Sequence, residues 1–207
     1  MEGAATATLI VHPQGKVGLI GAEHSTPTSV ITDLIAAGQS VMVIDTFLTG
    51  EHGSTPRDAS DRFFTTYNRT DAALRVQDVV TALVYLRGRG DVVSINVVGM
   101  GEAGLWCLLA SGFVDVERTV IDANQFDSDS DEAYLQSLPI PSIRRVGDVR
   151  TAAAQIAPHH LCVHNTGTRF KTDWISDVYE AVSASSKLAL REKPLSTEGI
   201  TAFLLGE

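Results

Sequence analysis

The chain is poor in three features that would each point to a function class. It has two cysteines, Cys107 and Cys162, both inside apolar segments. That excludes a disulfide-stapled scaffold and reads as two buried, reduced, structural thiols. It has no basic tract: 16 Lys and Arg stand against 25 Asp and Glu, for a net charge of −9. That balance excludes a nucleic-acid or anionic-membrane partner held by charge. No apolar run approaches the ~20 residues that a bilayer crossing needs. The first residues, Met1 to Thr8, carry no basic n-region, so they do not read as a signal peptide. With Met1 as the natural start, the expected location is the cytoplasm. There is no internal repeat and no low-complexity segment.

What is present is an ordinary globular balance, 44% hydrophobic and 20% charged over 207 residues. That is enough for one sizeable core, and a single domain over 1–207 is expected. Strand-like and helix-like segments alternate. Ala7–Val11 is apolar and ends in His12-Pro13-Gln14-Gly15, a strand followed by a turn. Thr28–Ala37 reads as a helix stopped by Gly38, and Val41–Ile44 as a buried strand ending in Asp45. Thr46–Ser60 is a long polar loop. Asp71–Arg87 is the best helix, amphipathic, capped by Thr70 or Asn68 and ended by Gly88. Further strands are expected at Val92–Val98, Arg118–Ile121, Leu161–His164 and Lys187–Leu190. Helices are expected at Gly104–Ala110, Glu132–Leu138, Asp148–Ile156, Trp174–Val182 and Thr197–Leu205. Alternation of this kind predicts an α/β fold: a three-layer α/β/α sandwich on a mainly parallel sheet.

Gly99-Met100-Gly101-Glu102-Ala103-Gly104 lies between a strand and a helix and fits two motifs. As G-x-G-x-x-G it is a dinucleotide fingerprint, with the pyrophosphate on the helix N-terminus. This NAD(P)- or FAD-binding reading uses Gly99, Gly101 and Gly104, with Asp122 as the ribose acid at the end of the next strand. Against it, the fingerprint normally opens its domain, whereas 98 residues precede Gly99 here. In the second reading the same residues are the G-x-S-x-G elbow of a hydrolase, with Gly101 where the serine nucleophile belongs.

The elements ahead of Gly99 favour the second reading. Ala7 to Gly15, Ala36 to Asp45 and Arg75 to Arg87 follow one another as a strand with its oxyanion loop, a helix end with the next strand, and the helix before the elbow. In order and spacing the chain resembles the acetyl xylan esterase and dienelactone hydrolase group of the α/β-hydrolase superfamily. The resemblance implies an α/β-hydrolase-like fold lacking the first two strands. It also implies a nucleophile at Gly101, an acid in the loop after Leu161–His164, and a histidine nearer the C-terminus. That loop reads Asn165-Thr166-Gly167-Thr168-Arg169, and none of the six histidines follows His164. All three triad roles therefore look empty, so no catalytic residue is assigned. The expected role is a non-catalytic domain. It either binds a small molecule or carbohydrate ester, through Gln14, Gly101, Glu102, Glu51 and His52, or serves as a partner domain in a homo-oligomer or beside a partner hydrolase. The enzyme alternative is a diverged ester hydrolase working around His24, Glu51 and His52 on or near the long loop. No cofactor and no metal are expected on the leading reading.

Smaller groupings have plain structural readings. Glu102 at a helix N-terminus favours the dipole. Cys107, six residues past Gly101, reads as core rather than as a displaced nucleophile. His159, His160 and His164 flank a strand without a recognisable further ligand. Asp127 to Asp131 alternates acids as a weak calcium loop does, but lacks the glycine at the sixth place; a helix-capping loop is the simpler reading.

Overall fold

The computed structural model describes residues 5–21, 28–53, 57, 58 and 62–207. Six strands form one sheet: β1 (Ala5–Val11), β2 (Ser40–Val43), β3 (Val92–Gly99), β4 (Arg118–Asp122), β5 (His160–His164) and β6 (Leu188–Leu190). Every neighbouring pair is parallel, in the order β2-β1-β3-β4-β5-β6. The central strands are buried on both faces, which is why they read as near-continuous apolar runs. The chain steps from β1 outward to β2, then returns to β3 and proceeds the other way. The direction of winding therefore reverses between β1 and β3. Crevices at such a reversal, beyond the carboxyl ends of the strands, are where open α/β sheets bind ligands.

Helices cover both faces. On one lie α4 (Asp71–Arg87), α5 (Ala103–Ser111), α7 (Asp148–Ile156) and α8 (Asp173–Ala181), with Leu83, Trp106, Ile156 and Tyr179 in the core. On the other lie α1 (Val17–Ile20), α2 (Ser29–Ala36) and α9 (Thr197–Leu205), with Leu19, Leu34 and Leu204. This is the expected three-layer sandwich. Two further helices, α3 (Phe64–Tyr67) and α6 (Asp131–Ser137), stand at the carboxyl edge of the sheet.

The helix starts are made by side chains. Thr70, not Asn68, caps α4 by accepting the Ala73 N–H at 3.3 Å. Ser130 does the same for α6 and Ser196 for α9. The short helices α1 and α3, of four residues each, have no sequence signature because one turn shows no periodicity. Cys107 and Cys162 are both buried and free. Burial pushes the Cys162 thiol up to about 11 and the Cys107 thiol further. Neither is therefore a ready thiolate. Among the described residues no helix is long and apolar enough to cross a membrane.

Candidate functional site

The Gly99–Gly104 turn stands at the carboxyl end of β3, beside the end of β1, where the winding reverses. Its three glycines do different work. A Cβ on Gly99 would lie 2.5 Å from the Gly104 Cα, and one on Gly104 would lie 2.0 Å from the Asp122 carbonyl oxygen. Both are needed so that α5 can lie directly on β3 and β4. Gly101 is different. A Cβ there would meet only Pro13, at 3.5 and 3.8 Å, but its φ is +51°. It is glycine by conformation, in the left-handed region that favours glycine.

The amides around Gly101 are largely committed. Its N–H donates to the Asp122 carboxylate at 3.2 Å. The other Asp122 oxygen accepts the Asn124 N–H and the Asn165 side-chain amide, both at 2.8 Å. In the loop after β1, which holds the expected binding residue Gln14, the backbone amides are engaged within the chain. The Gln14 N–H donates to Nδ1 of His12 at 3.1 Å. The next two amides are also taken, Gly15 by the His12 carbonyl and Lys16 by Asp45. A histidine two residues back can fold onto the backbone, and nothing in the residue pattern announces it. The Glu102 N–H, at the start of α5, has no partner among the described residues.

Parallel register sets Asp122 directly beside His164. His164 is buried, and its Nδ1 accepts the Leu195 N–H at 3.3 Å. Burial lowers its pKa, and the neighbouring Asp122 carboxylate offsets part of that. The loop after β6, Arg191 to Ser196, is thus pinned over the ends of β4 and β5. Its Arg191, Glu192 and Lys193 carbonyls accept the N–H groups of Thr166, Gly167 and Asn165. This cluster of Asp122, His164 and Asn165 was not legible as a unit. It depends on strand register, which brings residues from separate segments together.

The other candidates lie apart from it. Asp45, at the end of β2, gathers the Lys16 and Glu51 N–H groups and the Lys16 ammonium. Burial opposes its ionisation, but those donors prevail and hold its pKa below the usual carboxylate range. Glu51 is exposed and pairs with Lys16 at 3.2 Å, so its role here is to close one loop on another. His52 belongs to a 3-10 turn, Gly50–His52, inside the segment expected as loop. His24 lies outside the described residues. Glu102 has helical backbone angles and makes no side-chain cap. In the acidic loop, Asp129 and Asp131 pair with Arg150 and Arg144, and Asp127 accepts the Asp129 N–H. Those partners leave no cation cage, and no metal-binding cluster occurs among the described residues.

No protein-family model matches the chain, and no curated protein matches it. Solved structures do. A candidate acetyl xylan esterase from Bacteroides fragilis superposes with a TM-score of 0.71 at 14% identity over 92% of this chain. The chain has the α/β-hydrolase fold. It spans 59% of the length of that esterase. Est1E from Butyrivibrio proteoclasticus, solved with ferulic acid bound, gives a TM-score of 0.59 at 12% identity, covering 100% of this chain and 90% of that one. An esterase from Pyrococcus furiosus gives 0.56 at 18% identity, covering 99% and 77%. The turn at Gly101 follows β3, a central strand of this sheet.

Proposed function

We propose that this α/β-hydrolase-like chain is a non-catalytic binding domain. In this reading it holds a carbonyl-bearing small molecule, of the carbohydrate-ester class, at the elbow. The observation that carries the reading is the glycine at position 101. It keeps the left-handed backbone of a nucleophile turn and presents no side chain to attack with. Three further features support it. The loop where the base would be sought, Arg191 to Ser196, contains no histidine. The Gln14 amide is spent on His12, so a two-amide oxyanion hole lacks one donor. The Glu102 N–H remains open at a helix N-terminus, which suits a ligand oxygen.

The same geometry weighs against a dinucleotide. The Asp122 carboxylate already takes the Gly101 amide, so it sets a negative charge where a pyrophosphate would have to lie. It also weighs against chemistry centred on Glu51, whose charge is matched by Lys16.

The test is calorimetric titration with an acetylated xylo-oligosaccharide and its deacetylated counterpart, alongside hydrolysis of p-nitrophenyl acetate. Preferential binding of the acetylated sugar, weakened in Glu102→Pro, is expected, with no turnover. Proline removes that N–H together with the Glu102 side chain, so Glu102→Ala, which keeps the N–H, is the control; the Glu102 φ of −57° accommodates the ring. Turnover abolished by Asp122→Asn or His164→Gln would overturn the non-catalytic reading. Indifference to the acetyl group would overturn the ligand class.

A further inference from the structure

A large cleft of the described residues lies away from the elbow. It has a volume of about 690 Å³ and opens between α3 with the start of α4 on one side and α6 with the segment Leu138 to Arg145 on the other. No residue of the Gly99–Gly104 turn lines it. The size falls in the range of small-molecule pockets, roughly 300–1,000 Å³. Leu138 and Ile143, both buried, form part of its lining. Phe64 and Ile140 line it as well, and Leu135 is 74% exposed at its edge. An exposed leucine beside an apolar hollow of this size marks a surface that gains by being covered.

The charges around the cleft decide what would cover it. Asp71 is paired with Arg57 at 3.0 Å and Asp131 with Arg144 at 2.9 Å. Arg144 also donates to the Asp129 carbonyl and lies over the Tyr134 ring, 4.9 Å from its centroid. The Arg145 guanidinium has no hydrogen-bond or ion-pair partner among the described residues, and the residue is exposed. In a chain of net charge −9, an apolar cleft is thus left with one uncommitted guanidinium. A planar guanidinium matches a planar carboxylate through two parallel hydrogen bonds. A single uncommitted cation on an otherwise apolar wall suits one carboxylate.

We propose that this cleft binds small amphipathic monocarboxylates, their apolar body along Leu138, Ile140 and Ile143 and their carboxylate on Arg145. The site is independent of the elbow and of what the elbow does. The full-length chain is titrated calorimetrically with 4-phenylbutyrate and with the uncharged 4-phenylbutanol, which share the same body. The acid is expected to bind about fivefold more tightly, the size of an exposed charge-assisted pair. Arg145→Gln removes that advantage and leaves the alcohol unchanged. Ile140→Ala weakens both ligands, and unchanged melting temperatures confirm that both variants fold. Equal affinity for acid and alcohol overturns the proposal. So does the absence of binding at millimolar concentration, or an acid affinity unmoved by Arg145→Gln.

Discussion

The Asp122 carboxylate closes the elbow by accepting the Gly101 N–H at 3.2 Å while its second oxygen holds Asn124 and Asn165. One side chain thus ties the ends of β3, β4 and β5 together. Asp122→Ala removes the acceptor for all three donors. Bonds to a charged group contribute about 1.5–3 kcal/mol each when buried and less at an edge. A loss of about 2–3 kcal/mol is expected in urea unfolding. Asp122→Asn keeps one acceptor oxygen and should lose about half as much. Equal stability of the wild type and the alanine variant would mean that the cluster is incidental.

The two kinds of glycine in the turn separate cleanly by mutation. Gly104 sits inside α5, where alanine would ordinarily help a helix by about 1 kcal/mol. Here the added carbon would lie 2.0 Å from the Asp122 carbonyl oxygen. Backbone cannot yield as a side chain can, so Gly104→Ala should cost about 3 kcal/mol or prevent folding. Gly101→Ala meets only Pro13 at contact distance and bears the left-handed φ alone, so it should cost about 1 kcal/mol. Chemical denaturation of the pair gives the order. The reverse order would refute this division of roles.

Much of this site could be read from local pattern, and the reason is particular. Val92–Val98 is largely apolar and is followed at once by glycines, so a buried strand and the turn after it showed in the residues themselves, whereas its place mid-sheet came from the strand order. Asp71 to Arg87 was legible to its end residues because period and caps agree there, and Asp148 to Ile156 from its apolar spacing alone, without a side-chain cap. Three contacts stayed hidden: the Asp122–Asn165 bond, the seat of His164 beside Asp122, and the Gln14 amide on His12. The first two join residues about forty positions apart through parallel register. The third is a local fold-back with no compositional mark. Glu51 misleads for a related reason. A lone exposed acid on a long loop reads as available until the loop carrying Lys16 is seen to close on it.

A serine placed at position 101 tests whether the turn has machinery for nucleophilic chemistry. Gly101→Ser would place Cβ in ordinary contact with Pro13, so the side chain fits. No histidine stands on the Arg191–Ser196 loop to take its proton. His164 is buried, with Nδ1 already accepting the Leu195 N–H. Hydrolysis of p-nitrophenyl acetate by Gly101→Ser should therefore match that of the wild type. A rise of a hundredfold or more, the usual contribution of a positioned base, would show that a base is within reach after all.

Acid should loosen the molecule before it reaches the carboxylate range, because His164 and His12 resist protonation in the fold. Burial lowers the pKa of both, so the unfolded chain takes up their protons more readily than the folded one. The sign follows from proton uptake. Above the unfolded histidine value of about 6.5 there is no penalty. Below it, stability declines with falling pH until the folded groups also titrate. Asp45, with its pKa held low, adds a second loss below the usual carboxylate value, in the same direction. Melting curves between pH 7.5 and 5 should show the first decline. His164→Gln should flatten it, because glutamine still offers an acceptor to Leu195 and cannot charge. A decline of undiminished slope in that variant would assign the acid sensitivity elsewhere, with His12→Gln the next substitution to measure.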